Sequence, residues 1–148
     1  MERNGDREEL VRRALEMVRA AYAPYSRFHV GAAVRGASGR VYAGANVENA
    51  AFGAGVCAER NALFQAVAAG ERRILAVAVC GGPEGRVTDF CPPCGICRQA
   101  LREFCDPAAC EVVLATSETD LRVSTLERLL PESFGPAALA PACGCFRR

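Results

Sequence analysis

Two cysteine motifs constrain this chain more than anything else in it. One is Cys57-Ala58-Glu59, and the other is Cys94-Gly95-Ile96-Cys97, which follows Pro92 and Pro93. Both stand where the sequence predicts a helix to begin. Residues 57–69 hold no Gly or Pro and are rich in Ala, Leu and Phe up to the stop at Gly70. Residues 94–104 carry Ile96, Ala100, Leu101 and Phe104 on one apolar side. A helix N-terminus has a partial positive charge and free N–H donors, and both favour thiolate over thiol. A fold that turns two such helix starts towards each other gathers three thiolates into a tripod. Pro93, just ahead of Cys94, is compatible with a rigid entry into the second helix.

Three thiolates and a carboxylate are what a catalytic zinc needs. Cys57, Cys94 and Cys97 would hold the ion and leave its fourth position open to water. Glu59, two residues past the first cysteine, would lie beside the metal without binding it and move protons to and from that water. The alternative is a closed structural zinc site, with Cys91 or Cys105 as the fourth sulfur. Zinc with three thiolates carries a net negative formal charge and activates water less well than zinc with neutral ligands. Arg60 and Arg98, each next to a motif residue, are candidates to hydrogen-bond sulfur and draw charge from it. The plainer alternative is two solvated helix arginines.

The rest of the chain reads as alternating helices and strands. A first helix starts near Asp6 and Glu9, carries Leu10, Val11, Ala14, Leu15, Val18, Ala21 and Tyr22 on one face, and stops at Pro24. Strands are predicted at 28–34 and 41–47, joined by a turn around Gly36, Ser38 and Gly39. Another strand, 74–80, is closed by Gly81-Gly82-Pro83. Strands at 111–115 and 122–124 follow, with a last helical turn at 125–130 before Pro131. This order predicts an α/β fold: a three-layer α-β-α sandwich around one central mixed sheet of about five strands. One domain spanning 1–148 is expected, with an irregular tail over 136–148.

Composition narrows the partners. A chain of 148 residues buries about two-thirds of its unfolded surface and needs no disulfides to fold. The formal net charge is only +1, which argues against a basic groove for a nucleic-acid polymer. No apolar run behind a charged start and no long apolar span is present, so neither a secretory leader nor a membrane partner is expected. All the basic side chains are arginine, which fits codon bias in a GC-rich gene. The nine cysteines are an odd number, and in an intracellular chain cysteines more often bind metal or sit buried than pair. Cys80, Cys105 and Cys110 read as small core residues, and Cys143 and Cys145 as tail residues of no assigned role; a disulfide scaffold is the alternative. A cytoplasmic location follows, with the nucleus also open.

Further stretches join the two motifs in a family pattern. They are Tyr22-Ala23-Pro24-Tyr25-Ser26-Arg27-Phe28, Asn46-Val47-Glu48-Asn49-Ala50, Cys57-Ala58-Glu59-Arg60, Pro93-Cys94-Gly95-Ile96-Cys97-Arg98-Gln99 and Leu130-Pro131-Glu132-Ser133-Phe134-Gly135-Pro136. In this order they resemble the short, homotetrameric, zinc-dependent cytidine deaminases, whose signature sets a Cys and a Glu ahead of Pro-Cys-x-x-Cys. The resemblance runs from about Tyr22 to Gly135.

It implies one Zn²⁺ per subunit on Cys57, Cys94 and Cys97, with Glu59 as the proton shuttle and Arg60 tempering the thiolate charge. Phe28 would stack on the pyrimidine, the backbone near Ala58 and Pro93 would meet the reacting base, and Asn46 and Glu48 would bind the ribose hydroxyls. Phe134 would enter a neighbouring subunit's site. The implied reaction is hydrolysis of cytidine and 2′-deoxycytidine to the uridines with release of ammonia, a pyrimidine-salvage step. A nucleoside and further copies of the same chain are the implied partners. A relative acting on another amine, a polynucleotide deaminase, and a zinc-stabilised binding module are the rival readings. The chain departs from the family pattern at His29, its only histidine, at Phe52, where tyrosine is frequent, and at Pro92, where serine is frequent.

Overall fold

The computed structural model describes residues 4–139. Cys143 and Cys145 lie outside the described residues.

Helix α1 (Asn4–Val18) buries Leu10, Val11, Ala14 and Val18 on one side. It ends a turn before Tyr22, where the sequence had carried it. The backbone of Tyr22 is taken elsewhere: its N–H donates to Asn46 O (3.0 Å) and its carbonyl accepts from Glu48 N (2.8 Å). Ala23 also precedes Pro24, and a residue before proline is pushed out of the helical region.

The sheet consists of β1 (Phe28–Gly36), β2 (Val41–Ala45), β3 (Ile74–Pro83), β4 (Glu111–Ala115) and β5 (Leu121–Thr125), in the order β2-β1-β3-β4-β5. Only β3 and β4 are parallel, so the sheet is mixed, as expected. Helix α3 (Gly95–Arg102) lies in the crossover between them. Strand β3 runs through Gly81, Gly82 and Pro83, which the sequence analysis took as its end. Those residues stay in register with Val30, His29 and Phe28 of β1. Glycine is required at 82, because a Cβ there would sit 1.9 Å from Arg86 O.

Side-chain alternation splits the core into two layers. Val34, Val77, Val79, Val112 and Leu114 face α2 (Ala58–Ala68), α3 and α4 (Leu126–Leu129) through Leu63, Leu101 and Leu126. Ala33, Ala76, Ala78, Cys80 and Val113 face α1. The small residues on that second face let α1 approach closely: a Cβ at Gly31 would lie 2.0 Å from Ala14 O. The result is a three-layer α-β-α sandwich. Cys80 and Cys110 are fully buried, and Cys105 packs against the core while half-buried. Within the expected irregular tail, Pro136–Ala138 makes one 3₁₀ turn. No helix among the described residues is long and apolar enough to cross a membrane.

Candidate active site

Helices α2 and α3 both start at a cysteine. Cys57 and Cys94 occupy the N-cap positions, each in an extended conformation (φ −73°, ψ 156° and φ −66°, ψ 167°). Their carbonyls accept the first helical bonds, from Asn61 N and Arg98 N (both 3.0 Å). Neither thiol is used as a side-chain cap, so both sulfurs are left for another partner. Cys97 follows within the first turn of α3 and is buried.

The three sulfurs lie within 4.8 Å of one another, with Cys57 Sγ and Cys94 Sγ 3.9 Å apart. Four ligands around zinc, with Zn–S bonds of about 2.3 Å, place sulfurs about 3.8 Å apart, so the donor set fits that ion. Among the described residues this ligand group has three members, and Cys91, Cys105 and His29 stand outside it. The closed four-cysteine reading therefore has no support.

Electrostatics agree with a cation here. The Cys57 thiol is held down to about 5, first by a hydrogen bond from Cys97 and then, against the cost of burial, by Arg60, whose Nη2 is 3.8 Å from Cys57 Sγ. The same hydrogen bond between the two side chains, with burial, pushes the Cys97 thiol up. Arg98 does not share the task proposed for it. Its Nε donates to Pro93 O (2.7 Å) and its Nη1 to Leu129 O (2.9 Å), clamping the loop ahead of α3 to the end of α4.

Glu59 is 4% exposed. Burial is the chief cause that raises its carboxyl to about 7, with the neighbouring Cys57 charge adding to it. It opens, with Phe28, Asn46, Cys57, Ala58 and Cys94, onto one cavity of about 240 Å³. A carboxyl poised near neutrality beside the sulfur triad can both take and give a proton. An adjoining cavity of about 440 Å³ shares Asn46 and Cys57 and adds Glu48, Tyr25, Phe52 and Arg60.

The family model described as "Cytidine and deoxycytidylate deaminase zinc-binding region" matches residues 4–114, most of the chain. The chain belongs to this family. It is similar to the cytidine deaminase of Halalkalibacterium halodurans, 44% identical over 87% of this chain and 94% of that protein. It is also similar to that of Sporosarcina psychrophila, 40% identical over 93% and 97%. Among solved structures, the cytidine deaminase from Burkholderia pseudomallei superposes with a TM-score of 0.76 at 44% identity, covering 85% of this chain and 97% of that one. The Mycobacterium tuberculosis cytidine deaminase gives 0.72 at 38%, covering 86% and 95%. The family is zinc-binding, and zinc is the cofactor that the cysteine triad fits.

The other residues expected to belong to such a deaminase site are less free than their sequence positions suggest. Asn46 Oδ1 accepts from Val30 N and its Nδ2 donates to Phe28 O, both at 2.8 Å. The Glu48 carboxylate accepts from Tyr25 N (2.9 Å), Ser26 N (3.1 Å) and the Ser26 hydroxyl. The Ser26 hydroxyl above all holds its carboxyl below the usual range. Pro93 is buried, and its carbonyl is taken by Arg98. Phe134 lies outside both cavities and is 62% exposed, with its carbonyl accepting from Gln99 Nε2 (3.0 Å). Phe52 is 83% exposed and meets Tyr25 edge-on at 6.1 Å.

Sequence reasoning had not singled out Ser26, Gln99 or Arg102 for the architecture around the site. Gln99 and Arg102 stand three apart on α3 and hold the 133–134 segment, Arg102 Nε donating to Ser133 Oγ at 3.0 Å. That spacing is a signal the sequence carries for both, and Gln99 also closes the Pro93–Gln99 stretch of the family pattern.

Proposed function

We propose that this protein is a zinc-dependent cytidine deaminase that hydrolyses cytidine and 2′-deoxycytidine to uridine and 2′-deoxyuridine and releases ammonia. The observation that carries the reading is one cavity lined by Cys57 and Cys94 of the sulfur triad, by the buried Glu59 and by the aromatic Phe28. Cys57, Cys94 and Cys97 would hold the ion. When bound, zinc supplies Lewis acidity that lowers the pKa of water from near 16 to about 7.

Glu59 does the proton work. Its carboxylate takes a proton from the attacking water and delivers it to ring N3 as the oxygen adds at C4. The carboxylate then takes the second proton, from the hydroxyl now on C4, and gives it to the amino group, which leaves as ammonia as the C4 carbonyl forms, so one side chain acts as base and acid in turn. Its burial excludes solvent protons and keeps its carboxyl near neutrality. Phe28 stacks on the base, and Asn46 and Glu48 face the sugar. Arg60 donates to Cys57 and draws charge from the thiolates, which restores some of the acidity that three anionic ligands remove.

The same reading makes the chain a single domain, a homotetramer and a cytoplasmic enzyme of pyrimidine salvage. The tetramer is supported by exposed aromatics: Tyr25 and Phe52 meet at the larger cavity, and Tyr22 and Phe134 are exposed elsewhere on the surface; exposed apolar surface marks an interface. Phe134 of a neighbouring copy would complete each site.

Ultraviolet monitoring of cytidine tests the activity. Absorbance falls as cytidine becomes uridine, the rate collapses on chelation, and added zinc restores it. Unchanged turnover after complete zinc removal would sink the reading. Parallel assays with dCMP and free cytosine separate a nucleoside enzyme from its relatives.

A further inference from the structure

Ser26 faces both cavities and joins the aromatic wall to the acidic one. Its hydroxyl donates to Glu48 Oε1 and accepts from Phe28 N–H at 3.0 Å. Between Ser26 and Phe28 lies Arg27, held in the left-handed backbone region at φ 58°. A non-glycine residue adopts that state only where its surroundings hold it there. The hydroxyl closes this turn across Arg27, and the Arg27 N–H donates to Ala23 O (3.0 Å).

The consequence for Glu48 is directional. Oε2 already accepts two backbone N–H groups, from Tyr25 and Ser26. Oε1 accepts the Ser26 hydroxyl and, at 3.3 Å, the longer arm of the Ser26 N–H that it shares with Oε2, so a further donor to Oε1 displaces only that long contact. A sugar hydroxyl is such a donor. Without the hydroxyl of Ser26, the carboxylate would keep its backbone contacts and lose the bond that fixes Oε1.

We propose that Ser26 is a positioning residue for nucleoside binding, which aims Glu48 Oε1 at a sugar hydroxyl. The proposal rests on the reading of Glu48 as a sugar-binding group. Ser26 acts through Glu48 on the sugar, which does not react, so its contribution is equal in the ground state and the transition state and enters KM rather than kcat.

The test is steady-state kinetics with cytidine on Ser26→Ala, Ser26→Thr, Glu48→Ala and the Ser26→Ala/Glu48→Ala double variant, with melting curves on each. Ser26→Ala is expected to raise KM about tenfold, as for a lost hydrogen bond to a charged group, with kcat within about twofold of the parent. Ser26→Thr restores the parent KM. In the Glu48→Ala background the Ser26 change adds less than about twofold, because the two act through one contact. Should Ser26→Ala melt below the assay temperature, Ser26→Cys, of similar size and a weak donor, carries the same expectations. A parent-like KM in Ser26→Ala, beside a raised KM in Glu48→Ala, would overturn the Ser26 role and leave the sugar reading intact. A full tenfold effect in both backgrounds would also overturn it. An unchanged KM in Glu48→Ala would instead remove the sugar reading beneath it.

Discussion

Replacing Glu59 by Gln keeps the size and hydrogen-bonding shape of the side chain and removes its ability to move protons. Two opposite effects follow from the same burial. Activity should fall, because each positioned acid or base contributes about 10²–10⁴-fold and Glu59 fills both roles. A loss of about 10⁴ in kcat corresponds to about 5 kcal/mol of barrier. Stability should rise. The Glu59 carboxyl goes from 4.5 in the unfolded chain to about 7 in the fold, mainly because burial penalises its charged form. The folded state therefore binds the proton more tightly than the unfolded one. The penalty is absent below pH 4.5, grows as pH rises between 4.5 and about 7, and is complete above that. At 1.36 kcal/mol per pKa unit the full penalty is about 3 kcal/mol. Glutamine escapes it. Chemical denaturation of both proteins in chelator, at pH 4.5 and pH 8, measures the difference. The two should be nearly equal at the acidic end, and the variant more stable by about 3 kcal/mol at the alkaline end. A variant that deaminates cytidine within tenfold of the parent would refute the shuttle role. Equal stability at both pH values would refute burial as the cause of the raised carboxyl.

Gly31→Ala sets a Cβ 2.0 Å from Ala14 O, a backbone atom that cannot swing aside. It should destabilise by about 1–3 kcal/mol or more through overpacking of α1 on the sheet, read as a lower Tm with zinc content unchanged; an unchanged Tm would contradict the close approach. Phe134→Ala removes an exposed ring whose backbone is already held by Gln99. It should leave the melting of the isolated fold nearly unaltered and weaken assembly or raise KM, as sedimentation and kinetics report. A fully active monomer would refute the shared site.

The zinc motif and the layering were legible because both depend on short-range spacing. Cys57, Ala58 and Glu59 fall in the first turn of α2, and Cys94 and Cys97 in the first turn of α3, so local helix geometry alone orients them. The strand ends were less legible. Gly81-Gly82-Pro83 looks like a breaker, yet pairing with Phe28, His29 and Val30 holds it in β3. Tyr22 fits the apolar face of α1, yet its backbone is claimed by Asn46 and Glu48. Both outcomes are decided by partners far along the chain, which no local pattern records. The same holds for the arginines. Arg60 and Arg98 look equivalent beside their motifs, and only the packing of α3 against α4 sends Arg98 to two carbonyls and leaves Arg60 to the sulfur. The double duty of Asn46 and Glu48, bracing the 25–30 segment while facing the cavity, was hidden for that reason too.

X-ray absorption at the zinc edge of the purified protein addresses the coordination directly. The spectrum should show one zinc per chain with three sulfurs at about 2.3 Å and a single light scatterer at about 2.0 Å, the latter replaced or perturbed when a nucleoside analogue binds. Four sulfurs, or a protein that turns over cytidine with no zinc at all, would contradict it.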